Sequence, residues 1–290
     1  MRKGILLAGG TGSRLFPVTR TVNKHLLPVF DKPMIYYSLS VLMLAGVRDI
    51  LIITTPGDIS QFQRLFGDGS RLGLMIAYEK QDAPRGIAEA FLIGDRFIAA
   101  DSVALMLGDN LLFGAGLSAR LQSARDSEEA VVFSYKVKDP NRYGVIEVNS
   151  AGRGISIEEK PASPKSDLAV MGLYFYPNDV IEKARQLQPS GRNELEITDI
   201  NRAYMNQNRL RVEHLGRGYA WLDAGTEAAL LEASNFVSAI QTRQNLKIGC
   251  IEEIAWRMGW LSVGDLLREA NSMSGSAYGA YVASVADGAS

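Results

Sequence analysis

Ile5-Leu6-Leu7-Ala8-Gly9-Gly10-Thr11-Gly12-Ser13-Arg14-Leu15-Phe16-Pro17-Val18-Thr19, followed by Lys24-His25-Leu26-Leu27-Pro28, is the most informative run in the chain. Its first four residues are continuously apolar and read as a strand buried on both faces. The strand empties into glycines, which allow backbone N–H groups to come close to an anion. Arg14 and Lys24 add fixed positive charge. Together these are the ingredients of a phosphate-handling loop at the end of a buried strand. The loop is not a Walker A motif, because Ser13 is followed by Arg14 and not by Lys-Ser/Thr. A dinucleotide fingerprint, and with it a nicotinamide-dependent oxidoreductase, is disfavoured by Leu15 at the third glycine position.

The pattern around the loop is that of a layered α/β protein. Ile50 to Thr55 and Val103 to Leu107 are short apolar strands closed by turn residues. Pro33 to Ala45 and Ile87 to Ala99 carry helical spacing, with Gly46 as a helix stop. Strands alternating with helices imply a Rossmann-like α/β fold with a mixed, mostly parallel sheet flanked by helices. After Ala130 the strand runs Val131 to Phe133, Val145 to Val148, Ile155 to Ile157 and Leu173 to Phe175 follow without long helices between them. They predict an antiparallel addition that folds over the carboxyl ends of the first strands, where ligands bind in open α/β sheets. Helices are expected at Asp179 to Leu187 and Leu195 to Gln207. A strand follows near Leu210, then Gly218 to Asp223, then an amphipathic helix from Thr226 to Gln241 with Leu230, Ala233, Phe236, Val237 and Ile240 on one face. From about Leu246 a small C-terminal helical appendix is expected, with Ser284 to Ser290 frayed. The domain reading is one main unit over 1–243, with a first part at about 1–130 and a second at about 131–225. Residues 244–290 form the extension.

Composition excludes several classes. The 290 residues are 47% hydrophobic and 22% charged, an ordinary globular balance, and the net charge of −1 offers no field for nucleic acid. Cys250 is the only cysteine, so neither an intrachain disulfide nor a cysteine-built zinc site is available. His25 and His214 are too few for a histidine-built metal centre. No apolar run approaches the roughly 20 residues of a membrane span. The glycine loop comes too early for a signal peptide, and the expectation is a cytoplasmic protein.

Further residues add chemistry. Gly108-Asp109-Asn110 closes a strand, which places Asp109 at the sheet edge; alone, an Asp-Asn turn is the plainer reading. A carboxylate beside a phosphate loop repels the ligand unless a cation stands between them, and Mg2+ is the economical choice. Asp223, in Trp221-Leu222-Asp223-Ala224-Gly225, offers a second carboxylate. Lys160, in Glu158-Glu159-Lys160-Pro161, follows a strand and by itself reads as a solvated surface lysine. Gln81, in the loop run Gln81 to Gly86, reads by itself as a surface residue.

The run Gly9 to Pro28 resembles the signature of the sugar-nucleotide pyrophosphorylases, a nucleotidyltransferase family. The resemblance extends to about Ile254 through Asp31-Lys32-Pro33, Gly108-Asp109-Asn110, Tyr143-Gly144-Val145, Glu159-Lys160-Pro161, Glu194 to Asn201 and Gly216 to Asp223. The longer matches point to the branch that transfers a thymidylyl group from dTTP to glucose 1-phosphate, giving dTDP-glucose and pyrophosphate. By resemblance, Arg14, Lys24 and Asp109 are catalytic. The nucleotide falls to Leu7, Gly9, Gly10, Thr11, Gly12, Ser13, Arg14, Gln81, Gly86 and Asp109. The sugar phosphate falls to Tyr143, Gly144, Glu159, Lys160, Met171 and Arg192, and Mg2+ to Asp109 and Asp223. The family also implies a homotetramer under feedback by a downstream sugar nucleotide, with Trp256, Met258 and Trp260 as interface or core material. Departures from the family pattern are Ala224, Arg85 and His25; the last two leave nucleotide selectivity open. UTP in place of dTTP, or a silent sugar-nucleotide-binding homologue, are the competing readings.

Overall fold

The computed structural model describes residues 2–150 and 152–288. Its centre is β1 (Arg2–Ala8), buried from Gly4 to Ala8. Past the glycine loop, a short hairpin of β2 (Pro28–Val29) and β3 (Lys32–Pro33) feeds α1 (Met34–Leu44). Every residue of α1 from Met34 to Met43 is buried, as expected for a helix apolar on all sides. Gly46, at φ +80°, ends it.

The chain then adds β4 (Asp49–Thr54), α2 (Ile59–Phe66), β5 (Met75–Lys80), α3 (Glu89–Ile93), α4 (Asp95–Ile98) and β6 (Ser102–Leu107). β4 and β6 flank β1 in parallel, and β5 lies parallel beyond β4. Alternate residues of the central strands feed two cores. Leu6, Ile50 and Ile52 pack with Ile35, Leu39 and Phe62 on one face. Ile5, Leu51 and Ile53 pack with Phe91, Leu105 and Tyr176 on the other. This two-sided burial explains the unbroken apolar runs. The single helix expected over Ile87 to Ala99 is two short ones broken at Gly94. A β-carbon there would lie 3.1 Å from Ile5 and 3.0 Å from the Ala90 carbonyl, so the chain bends where it presses on the sheet.

Asn110 does not close the preceding strand but opens a new one. β7 (Asn110–Gly114) is followed by α5 (Leu117–Arg125), β8 (Ala130–Lys136), β9 (Gly144–Val148), β10 (Gly154–Glu159) and β11 (Leu168–Tyr176). The predicted antiparallel addition is present, as a continuation of the same sheet. β11 pairs antiparallel with β6 at one end, then shifts register between Val170 and Tyr174, pairing with β8 and briefly with β9. After α6 (Val180–Gln186) and α7 (Ile197–Asn206), β12 (Leu210–Leu215) adds parallel to β8. Among the described residues these make one sheet of nine strands. A separate ribbon pairs β13 (Tyr219–Asp223) antiparallel with β7, setting Asp223 opposite Asn110.

The expected helix after Thr226 is α8 (Glu227–Gln244), capped by the Thr226 side chain accepting from the Ala229 N–H. Ala233 and Val237 pack with Val29, Met34, Tyr37 and Leu111. The appendix is α9 (Ile251–Arg257), α10 (Val263–Ser272) and α11 (Ala277–Asp287). Trp256 and Trp260 turn toward the body of the protein and pack against its main core. Residues Ser284 to Asp287, expected to fray, are the last turn of α11; Ala289 and Ser290 lie outside the described residues. Among the described residues no helix is long and apolar enough to cross a membrane.

Candidate active site

β1, β4, β5 and β6 run parallel, so their carboxyl ends share one edge of the sheet. From that edge emerge the glycine loop after Ala8, Gln81 after Lys80, and Asp109 two residues past Leu107. In the loop Gly10 and Gly12 adopt φ +98° and +60°, a left-handed backbone that side chains disfavour. The amides of Gly10, Thr11, Gly12 and Ser13 donate to no protein acceptor among the described residues. They form a ready cradle for phosphate oxygens. Leu15, at the position where a dinucleotide loop has glycine, is buried and pins a 3-10 turn that carries Arg14.

Lys24 sits on a second 3-10 turn, capped by Asn23, whose side-chain oxygen accepts from the His25 N–H at 3.0 Å. The turn directs Lys24 Nζ onto Asp109 Oδ2 in a buried ion pair. Asp109 Oδ1 accepts from Asn110 Nδ2 at 2.9 Å. Burial pushes the Asp109 carboxyl up, but Lys24 and the other groups around it, Asn110 among them, together hold it well below the usual carboxylate range. His25 is fully enclosed, its Nδ1 2.7 Å from Asn23 Oδ1, and burial lowers it to about 3. It stays neutral and supports the loop from behind.

Asp223 reaches the same place from the ribbon. Burial and then Asp109 push its carboxyl upward, and it makes no ion pair among the described residues. Two neighbouring carboxylates, one of them pushed upward by the other, beside cations and an anion cradle, are a hard-oxygen donor set suited to a divalent ion. No group of three or more His, Cys, Asp and Glu side chains that could chelate a metal occurs among the described residues. A cation here would therefore complete its shell with ligand oxygens and water. A β-carbon on Gly225 would lie 3.1 Å from both the Arg14 guanidinium and Asp223 Oδ1, which places these two groups side by side.

A cavity of about 590 Å3 opens from this cluster toward the antiparallel strands. Arg14, Asp109 and Asp223 line one side, and Tyr143, Gly144, Glu159, Lys160 and Arg192 the other. Glu159 Oε2 accepts from Thr198 Oγ1 at 2.6 Å, and its Oε1 from Arg192 at 3.2 Å. Arg192 also pairs with Glu196 at 2.7 Å and Glu194 at 3.4 Å, so it holds the acidic wall together. Lys160 adopts φ +42°, and its N–H is tied to the Tyr143 carbonyl at 3.0 Å. A β-carbon on Gly144 would fall 3.1 Å from Thr198 Oγ1 and 3.4 Å from Glu159, so glycine leaves this wall open.

Not every residue singled out from sequence lines the cavity. The Met171 side chain is buried in the main core, and its neighbour Gly172 faces the cavity instead. Leu7, the glycine loop, Gln81 and Gly86 lie outside this lining. Sequence reasoning passed over Asn110, which organises the junction. Its Oδ1 accepts from Trp221 Nε1 at 2.7 Å and from the Gly172 N–H at 3.2 Å. Its carbonyl accepts from Ser38 at 2.9 Å. Thr198, Glu196 and Arg142 were missed as well. The acid-rich run Glu194 to Asp199 was the available signal for the first two; Arg142 had none.

A mixed sheet with a phosphate cradle, a carboxylate pair and a facing polar wall defines a nucleotidyltransferase, and residues 3–240 match the nucleotidyl transferase family, to which this chain belongs. It is 56% identical over 281 residues to a glucose-1-phosphate thymidylyltransferase of Neisseria meningitidis, spanning 97% of this chain and 98% of the relative. A Mycobacterium tuberculosis protein of the same name is 53% identical over 97% of each chain. A crystal structure of a Bacillus anthracis protein assigned as a glucose-1-phosphate thymidylyltransferase, in complex with sucrose, is 39% identical. It superposes with a TM-score of 0.75 over 81% of this chain and 95% of its own. A UDP-glucose pyrophosphorylase complexed with UDP-glucose is 26% identical, with a TM-score of 0.72 over 82% and 99%.

Proposed function

We propose that the protein transfers the thymidylyl group of dTTP to the phosphate of α-D-glucose 1-phosphate, producing dTDP-glucose and pyrophosphate. The observation that carries this reading is the cavity joining Arg14, Asp109 and Asp223 to Glu159 and Lys160, in a chain 56% identical to an enzyme of that name. A phosphate oxygen of the sugar phosphate attacks the α-phosphorus of dTTP as the bond to pyrophosphate breaks. The nucleophile is already an anion near neutral pH, so no general base is needed. The protein's task is to bring two polyanions together and offset charge in the transition state.

In this reading the glycine loop and Arg14 hold the triphosphate, and Lys24 stands at the α-phosphate. Lys160 binds the acceptor phosphate, and Glu159 and the Gly144 backbone receive the sugar. Asp109 and Asp223 would hold Mg2+. When bound, the ion neutralises phosphate charge and orients the α-phosphate. Lys24 then exchanges part of its pairing with Asp109 for the substrate phosphate. Residues 1–243 act as the catalytic unit, with nucleotide and sugar parts dividing near 130, and 244–290 serve as an assembly extension.

We place the enzyme in the cytoplasm as a homotetramer, for which the exposed Phe30, Leu231, Val263 and Leu267 are suitable contact material. Light scattering on the purified chain tests the assembly. Pyrophosphate release across a grid of dTTP, UTP, CTP and GTP with sugar 1-phosphates tests the reaction. Highest turnover with dTTP and glucose 1-phosphate is expected. A preference for UTP moves the assignment to the uridylyl branch, and no release with any pair overturns it.

A further inference from the structure

Gln81 follows β5 at the nucleotide edge, and it is not free to turn. It is buried, and its Nε2 donates to Glu89 Oε2 at 2.8 Å and to the Gly86 carbonyl at 3.3 Å. A carboxylate only accepts, so the amide nitrogen must face Glu89 and the amide oxygen must face away. That oxygen points at the glycine loop: a β-carbon on Gly9 would lie 2.9 Å from Gln81 Oε1. Glu89 is itself buried at the start of α3 and is held by Arg85, whose Nε lies 2.6 Å from Glu89 Oε1. The segment is clamped at both ends of the turn. Leu195 N donates to the Arg85 carbonyl at 2.8 Å, and Ala88 N donates to the Leu195 carbonyl at 3.3 Å.

We propose that Glu89, braced by Arg85, is a positioning residue that fixes Gln81 as a hydrogen-bond acceptor toward the nucleotide base, and so selects bases with a ring imino N–H. Thymine and uracil present N3–H at that edge; cytosine presents a bare acceptor nitrogen there, which would oppose the Gln81 oxygen. A glutamine without the Glu89 partner can rotate its amide and serve either pattern. With Glu89 in place it cannot, and a mismatched base leaves buried polar atoms unpaired, the strongest form of discrimination available to a binding site. The pairing also gives Arg85 a purpose: as the only cation on Glu89 among the described residues, it balances a buried carboxylate that would otherwise repel the approaching triphosphate.

The inference rests on the nucleotidyl-transfer reading, and three variants separate the two. Steady-state kinetics with dTTP and dCTP, at saturating glucose 1-phosphate, are compared for Glu89→Met, Glu89→Gln and Gln81→Met. Glu89→Met keeps the size of the side chain and removes the acceptor. It is expected to raise KM for dTTP about tenfold, leave kcat and the KM for glucose 1-phosphate within twofold, and reduce the dTTP-over-dCTP preference by a similar factor. Glu89→Gln keeps one acceptor oxygen and is expected to restore values near those of the parent. If Gln81→Met shifts KM and selectivity while Glu89→Met does not, the positioning role is wrong and base reading by Gln81 stands. If Gln81→Met changes neither, base reading by Gln81 fails and the proposal falls with it. A loss of kcat in Glu89→Met that Glu89→Gln does not rescue marks a purely structural role and also overturns it.

Discussion

In the proposed reading the two halves of the site are built in opposite ways. The nucleotide side is mostly backbone: loop amides from Gly10 to Ser13 without a protein acceptor among the described residues, strand ends, and two short turns that fix Arg14 and Lys24. The sugar-phosphate side is mostly side chain: Glu159, Thr198, Arg192 and Glu196 hold one another in a hydrogen-bonded wall. Backbone donors are fixed by the fold and suit a ligand whose phosphates are the same in every nucleotide. A side-chain wall can be remodelled residue by residue, and suits the partner that distinguishes one sugar from another. The junction between them, Asp109 just ahead of β7 and Asp223 at the end of β13, belongs to neither side, and in the proposed reading the chemistry concentrates there.

If that division is correct, changes at the junction act on turnover and changes in the wall act on sugar-phosphate affinity. The largest effect is expected from Asp109→Asn, which keeps the side-chain shape and removes the charge. Its kcat should fall by at least about a thousandfold, with the thermal melt retained. Ordinary magnesium-dependent turnover would remove Asp109 from the catalytic centre. Lys160→Ala comes next. The KM for glucose 1-phosphate should rise by about tenfold or more while kcat changes little, since an ammonium on a phosphate contributes to binding both before and during reaction. A matching fall in kcat at constant KM would break the contrast, making Lys160 part of the reacting group.

Gly144→Ala is a milder probe of the wall. The added methyl meets Thr198 and Glu159 at 3.1 and 3.4 Å, so a severalfold rise in KM for the sugar phosphate is expected, with KM for dTTP unaffected. An effect on dTTP alone would show that the wall is not separate from the nucleotide side. The smallest effect is thermodynamic. Burial and Asp109 raise the folded-state pKa of Asp223, so its ionised form destabilises the metal-free fold. That penalty is fully present above the folded pKa and fades as pH falls through it. Asp223→Asn should therefore raise the metal-free Tm by about 1–4 °C at pH 8, with the gain shrinking toward acid pH, while magnesium-dependent activity is lost. A gain that grew on acidification would reverse the sign and refute the account.

The contrast also explains what could be read from the sequence. The nucleotide side was legible because its parts are contiguous: a strand, its glycines, Arg14 and Lys24 fall within a single run of residues. β1, β4 and β6 were legible because burial on both faces leaves an unbroken apolar run in each, at Ile5 to Ala8, Ile50 to Ile53 and Val103 to Leu107. β5 was not, since Met75 and Glu79 face outward at the edge of the sheet and interrupt the apolar pattern. β7 was hidden by the turn signal of Gly108-Asp109-Asn110, which tertiary pairing with β13 overrides after two residues. The sugar wall was legible only where a short motif marked it, at Tyr143-Gly144 and Glu159-Lys160. Asn110 and Thr198 act through partners distant in sequence, such as Trp221, 111 residues from Asn110, and nothing local announces them. Arg85 and His25, read as departures bearing on nucleotide choice, turn out to differ. Arg85 braces Glu89 beside Gln81, whereas His25 is sealed behind the loop.

The β7–β13 ribbon carries a consequence for how genes of this kind can vary in length. Its five paired positions, from Asn110 opposite Asp223 to Gly114 opposite Tyr219, bring Asp223 beside the segment that carries Asp109. One codon gained or lost within either strand would swing Asp223 to the opposite face of the ribbon and separate it from Asp109. The loop from Ala162 to Lys165, mostly exposed beside the sugar wall, carries no such constraint and can lengthen or shorten freely. Length variation among functional copies should therefore gather in that loop and leave the ribbon untouched.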